Sequence, residues 1–298
     1  MRHVDIKTKI PELLAEIPPW EDFVRLGNLT KLRQDANGRF HHANYESGLL
    51  LYALVRHYRP TQILEIGTGR GYGAFCMAMA LRDNGDLGRI VTLDVKSYTE
   101  KQDWPIDDGQ GARVASLSLQ EVWEGQLDPT LRAMIDLRQG FSSQGLAQFR
   151  AEKDFRPQFV YIDGDHSYTI TRHDLFASWL LVDSPFCILL DDYMPRSDLY
   201  GVRRLVDDEL EPLFELEAIH NDRRWYGEER EATPLTDSTY AQVLLDSRKV
   251  KQEWQLTFPR HELERVVEAH QRWGRYSLMR ENALLRWRKN VVGLERRA

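Results

Sequence analysis

The chain has 298 residues, a net charge of −6, eight tryptophans and 42% apolar residues, enough to bury a core as one elaborated α/β unit or two small domains. The acidic balance argues against a general nucleic-acid binder, and no apolar run approaches the roughly 20 residues needed to span a membrane. Cys76 and Cys187 read as small buried apolar residues rather than a disulfide or zinc pair; with no apolar leader core, the expected setting is a reducing cytoplasm.

In chain order, residues 11–16 and 21–26 read as two short helices separated by Pro18-Pro19, and 43–57 as an amphipathic helix. His41, His42 and His57 read as helix-surface or structural residues. The strand Gln62-Ile63-Leu64-Glu65 then runs into four glycines at alternate positions, Gly67, Gly69, Gly71 and Gly73, and a helix-prone stretch at 74–81. Glycines at a strand-to-helix turn let a ligand approach the backbone, and the free N–H groups of the helix start face it. The same turn could serve packing alone. The dinucleotide fingerprint G-x-G-x-x-G is not met, because Tyr72 stands where the third glycine belongs. Glu65 would oppose a pyrophosphate but suits a ligand with a cationic amino acid portion. A second strand, 89–94, ends at Asp94, placed to accept hydrogen bonds from ribose hydroxyls.

Between 96 and 113 the alternation lapses, which marks a candidate lid. A third strand at 134–137 leads to Gln139-Gly140-Phe141-Ser142. Strand 159–162 ends in Asp163-Gly164-Asp165-His166-Ser167-Tyr168; a helix at 170–181 follows, and strand 186–190 ends in Asp191-Asp192-Tyr193. Parallel strands of one such unit deliver their last residues to the same sheet edge, where α/β folds bind ligands. Asp163, Asp191 and Asp192 would then converge with no Lys or Arg in the immediate motif. A hard divalent ion such as Mg²⁺ would relieve that crowding, although strand-end aspartates are also common turn formers. Past Pro212, strands at 213–219 and 241–245 flank a polar loop in which Trp225-Tyr226 could line a pocket or pack a sheet edge. A basic helical pattern at 260–288 reads as a solvated face or an oligomer contact.

Glu65-Ile66-Gly67-Thr68-Gly69-Arg70-Gly71 resembles the glycine-rich first motif of class I S-adenosylmethionine-dependent methyltransferases, and Asp94 resembles their ribose-binding acid. The Asp163-to-Tyr168 and Asp191-to-Tyr193 segments narrow the likeness to the metal-dependent macrocin O-methyltransferase and cephalosporin-hydroxylase-like group of natural-product biosynthesis. The resemblance covers residues 49–246. It implies a Rossmann-like α/β fold, a mostly parallel sheet whose last strand is antiparallel, with helices on both faces and added N- and C-terminal helices. The expected units are an N-terminal helical extension (1–58), a cofactor domain (59–250) and a C-terminal helical extension (251–298). Glu65, Gly67, Gly69, Gly71, Asp94, Gly140, Phe141 and Asp163 would bind S-adenosylmethionine. Asp163, Asp191 and Asp192 would hold Mg²⁺ or another hard divalent cation, and His166 or Asp165 would act as base.

The expected partner is a small-molecule acceptor bearing a hydroxyl, on a sugar or glycosylated compound, with neither nucleic acid nor membrane; the terminal helices offer a surface for homo-oligomer contact. The Asn/Asp-Pro-Pro-Tyr motif of amino-group methylation is absent. Two rival functions stay open here. A nicotinamide-dependent oxidoreductase would need a pyrophosphate site, and a non-catalytic S-adenosylmethionine-binding protein would need no acidic triad.

Overall fold

The computed structural model describes residues 1–249 apart from 43, 86–87, 153, 184, 198–199 and 222–239. The Trp225-Tyr226 pair and the helix expected at 260–288 lie outside the described residues. The chain opens with β1 (Arg2–Asp5), α1 (Ile6–Leu13), α2 (Trp20–Thr30), the hairpin β2 (Leu32–Gln34) and β3 (Phe40–His42), and α3 (Glu46–Tyr58). The alternating core follows: β4 (Gln62–Ile66), α4 (Tyr72–Asp83), β5 (Arg89–Asp94), a second hairpin of β6 (Gln102–Ile106) and β7 (Arg113–Leu117), then α5 (Leu119–Gly125), α6 (Pro129–Arg132) and β8 (Ile135–Gln139). Next come α7 (Ser142–Ala151), β9 (Phe159–Ile162), α8 (Tyr168–Trp179), β10 (Cys187–Tyr193), α9 (Val202–Leu205) with a π-helical turn Val206–Leu210, β11 (Glu217–His220) and β12 (Ala241–Asp246).

Eight strands form one sheet in the order β1-β11-β12-β10-β9-β4-β5-β8. Every neighbouring pair is parallel except those made by β12, which runs antiparallel to both β10 and β11. This is the mostly parallel, Rossmann-like sheet with a reversed strand that the motifs imply. Two apolar clusters cover its faces because successive strand residues point to opposite sides. Ile63, Ile90 and Phe159 pack with α3 and α4 on one face, while Leu64, Val91 and Val160 pack with α7 and α8 on the other. Within α3, Leu49 to Val55 are all buried, against the equally buried Ala74 to Leu81 of α4. Each such fully buried large apolar side chain contributes roughly 1.5–3 kcal/mol.

Several expectations about the periphery need correcting. Residues 2–5 form β1, which extends the sheet by pairing in parallel with β11, and the first helix starts at Ile6 instead of residue 11. Asp5 caps it, accepting a hydrogen bond from Lys7 N at 2.9 Å. The second helix begins at Trp20 and continues to Thr30, past the expected end at residue 26. The candidate lid is a packed hairpin: Trp104 and Ile106 of β6 are fully buried, and Trp104 Nε1 donates to Leu29 O at 2.7 Å. A buried tryptophan with its N–H satisfied anchors a segment to the core. No described helix is long and apolar enough to cross a membrane.

Candidate active site

Strand register builds the site. Ile66 lies opposite both Leu93 of β5 and Ile162 of β9, and Ile162 lies opposite Leu190 of β10. The next residue of each strand therefore stands in a row along the carboxyl edge: Asp94, Gly67, Asp163 and Asp191. Gly140 joins the far end, its N–H donating to Asp94 O at 2.8 Å. Two cavities open on this edge and meet at Gly67, Gly69, Lys96 and Asp163.

The larger cavity, about 580 Å³, is lined by Gly67, Gly69, Asp94, Gly140, Phe141, Asp163 and Asp165, among others. The Asp94 carboxylate accepts from Gly69 N at 2.7 Å and Lys96 N at 2.9 Å, which fixes it at the mouth of the glycine turn. Phe141, 57% exposed, is part of this lining. Sequence reasoning did not single out Asp174 of α8, which also lines it. Asp174 is 1% exposed, and its Oδ2 has no hydrogen-bond partner among the described residues. The only hint available was an acid placed on the buried face of that helix.

The smaller cavity, about 400 Å³, holds Glu65, Asp163 and His166 together with Lys31, Arg70 and Tyr161. Glu65 is 1% exposed; Thr92 Oγ1 donates to it at 2.5 Å, and Gly73 is bare so that its carboxylate fits against α4. Burial pushes the Glu65 carboxyl up to about 8, against the lowering effect of the Thr92 hydrogen bond. Gly71 starts α4 in the left-handed region, and its missing side chain leaves room for the Trp123 ring.

The three candidate metal ligands are brought together only in part. Burial holds the Asp163 carboxyl well above the usual range, reinforced by Asp191, with which it shares a hydrogen bond. Tyr161 OH donates to Asp163 at 3.1 Å, and Tyr240 OH donates to Asp191, which is 6% exposed. Asp192 departs from the row, because the β10–β12 register shifts between Leu190 and Tyr193 and Asp192 adopts a left-handed backbone, φ 56°. Its carboxylate lies 3.1 Å from His166 Nε2, which is 3.9 Å from Asp163. Among the described residues, no three His, Cys, Asp or Glu side chains are disposed to hold a metal ion.

The immediate motif holds no Lys or Arg, but the positive charge of Lys31, just after α2, opposes the rise of the Asp163 carboxyl. That lysine lies 132 positions upstream of Asp163, so motif reading could not find it. The two candidate bases part company. Asp165 lines the larger cavity and its Oδ1 accepts from Ser167 N at 2.8 Å, whereas His166 lines the smaller one.

Residues 64–193 match the family described as a methyltransferase domain. No curated protein matches the chain. Among solved structures, it is similar to an O-methyltransferase from Bacillus cereus in complex with SAH, with 17% identity, 81% of this chain and 96% of that one covered, and a TM-score of 0.49. It is also similar to the O-methyltransferase TomG from Streptomyces achromogenes, involved in tomaymycin synthesis and in complex with SAM, with 16% identity, 81% and 95% covered, and a TM-score of 0.49.

Proposed function

We propose that this chain is an S-adenosylmethionine-dependent O-methyltransferase acting on a hydroxyl of a sugar or glycosylated small molecule, with Mg²⁺ or a similar cation assisting, a reading supported by the match of residues 64–193 to a methyltransferase domain. The observation that carries it is the pairing of Glu65 and Asp94 around one glycine turn, at the meeting point of two cavities. A buried acid faces the end where a cationic amino acid portion fits, and an anchored carboxylate faces the end where a ribose fits. A nicotinamide pyrophosphate would meet Glu65 instead.

When bound, S-adenosylmethionine supplies a sulfonium methyl group for in-line transfer to an oxygen. The chain must hold the acceptor hydroxyl in the smaller cavity opposite that methyl group and take its proton. With His166 Nε2 turned to the Asp192 carboxylate at 3.1 Å, Nδ1 is the acceptor atom that reading assigns, and the carboxylate stabilises the imidazolium that results. Asp165 is the competing base, tied by its hydrogen bond to the start of α8. The donor chemistry of Asp163, Asp191 and Asp192, three hard carboxylates, fits a divalent cation. Such an ion, when bound there, would ease the loss of the hydroxyl proton.

Isothermal titration with S-adenosylmethionine, with and without Mg²⁺, and separately with NAD tests the reading. Tighter binding of S-adenosylmethionine than of NAD is expected; the reverse order would sink it.

A further inference from the structure

The smaller cavity carries a feature that methyl transfer alone does not require. Arg33 of β2, Arg70 of the glycine turn and Lys96 after β5 line it together with Glu65 and Asp163. Arg70 is partly buried, stacked 5.4 Å from the Trp104 ring centroid, and donates to Pro105 O at 2.8 Å and to Leu32 O. Among the described residues it thus has carbonyl partners but no carboxylate partner. The side chains of Arg33 and Lys96 make neither a hydrogen bond nor an ion pair among the described residues. Arg33 and Lys96 are exposed and Arg70 is half-buried; burial, followed by Arg33, pushes the Arg70 guanidinium down to about 10. The three cations therefore feel one another at a single mouth.

Clustered like charges are costly unless an opposite charge joins them. With its ammonium taken by Glu65, the cofactor's carboxylate can meet one of these cations, but its sulfonium adds a further positive charge and at least two cations remain. Lys31, whose Nζ donates to Ser47 Oγ at 2.8 Å beside Asp163, stands nearer the acidic side and is left for that carboxylate. An oxyanion from the acceptor is what remains. A single carboxylate brings one charge, whereas a phosphoryl group brings about two and offers several oxygens to the planar guanidinium forks.

We propose that the methyl acceptor carries a phosphoryl group, seated among Arg33, Arg70 and Lys96, with its reacting hydroxyl turned toward His166. The acceptor is then a phosphorylated or nucleotide-linked sugar instead of a neutral glycoside, a refinement that rests on the methyltransferase reading above. A cavity of about 400 Å³ takes a ligand of this size, with the two ends of one molecule spanning from the basic mouth to the imidazole.

The test uses the full chain saturated with S-adenosylhomocysteine and titrated with inorganic phosphate. Saturable binding is expected, weakened about ten-fold or more by Arg33→Ala and by Lys96→Ala and partly restored by Arg33→Lys, with the affinity of the Arg33→Ala variant for S-adenosylhomocysteine unchanged. Three results would overturn the inference while leaving methyl transfer intact: no saturable phosphate binding, binding that Arg33→Ala does not weaken, or phosphate competing with S-adenosylhomocysteine. Failure of the wild-type chain to bind S-adenosylhomocysteine at all would instead remove the methyltransferase reading, and this inference with it.

Discussion

The carbonyl oxygen of Asp163 lies 2.1 Å from the point where a Cβ on Gly67 would stand. The two strand ends that frame the site touch there, backbone to backbone, and Gly67 holds φ +97° to allow it. Gly67→Ala combines a steric clash with a backbone that L side chains rarely adopt. A loss of about 2 kcal/mol or more in unfolding free energy is expected from the strain and displacement together. Gly69→Ala is the control: φ is +58° and nothing lies within 4 Å of its Cβ, so a cost of about 1 kcal/mol is expected. Urea unfolding of the two variants checks this, and equal losses would refute the close approach as the cause.

Asp94 is held by two backbone N–H groups and keeps further acceptor capacity toward the larger cavity. Asp94→Ala should lower S-adenosylmethionine affinity by about 1.5–3 kcal/mol, roughly ten- to a hundred-fold, by removing a charged acceptor for the ribose diol. Calorimetric titration measures it. An unchanged dissociation constant would take the ribose away from Asp94.

The pH dependence of Glu65 has an unusual sign. Its carboxyl is pushed up to about 8 by burial in the folded chain, whereas an ordinary glutamate titrates at about 4.3. Between those values the folded state keeps a proton that the unfolded state has lost. Stability from this group therefore falls as pH rises through the window, by up to about 1.4 kcal/mol per pH unit, and the loss is complete above it. Glu65→Gln should flatten the slope. A cationic ligand end reverses the preference of the site, so S-adenosylmethionine should bind more tightly at pH 8 than at pH 6 and release a proton. Enthalpies measured in buffers of different ionisation heat would expose that proton; identical enthalpies and affinities would place the ammonium elsewhere.

The row of Asp94, Gly67, Asp163 and Asp191 was legible because each residue ends an apolar run, and parallel register then aligns the ends. The two strands after Pro212 were legible from the break in alternation, and the reversal of the last one from the family resemblance. What the sequence hid was of two kinds. Lys31 and Tyr240 reach the acids from distant segments, and no local pattern encodes such contacts. The turn of Asp192 toward His166 was hidden because a register shift and a left-handed residue produce it, and β-bulges carry no strong composition signal outside glycine. The edge strand β1 was missed for a related reason: four residues of mixed polarity at a chain end form a strand only because β11 offers an open edge.

Asp163→Asn and Asp191→Asn should lower turnover far more than cofactor affinity if the carboxylates serve a divalent ion. The companion measurement is turnover in excess chelator, restored by added Mg²⁺. Full activity of the chelated, metal-free enzyme would exclude assistance by a metal. Asp191→Asn also alters the partner of Tyr240 OH, so its fold must be checked by circular dichroism before its turnover is interpreted.

The choice of base rests on which cavity each candidate enters. Asp165 lines the larger cavity and secures the first turn after β9 through Ser167 N, while His166 lines the smaller one with Asp192 at 3.1 Å. Imidazole is the side chain whose ordinary titration range lies near neutrality, and it adds no further negative charge beside Asp163 and Asp191. His166→Ala should reduce turnover by about a hundred-fold or more with S-adenosylmethionine affinity nearly unchanged. Asp165→Ala should instead cost about 1 kcal/mol of stability through the lost turn hydrogen bond, with turnover falling only modestly. A folded Asp165→Ala enzyme without activity, beside a His166→Ala enzyme that turns over normally, would transfer the role to Asp165.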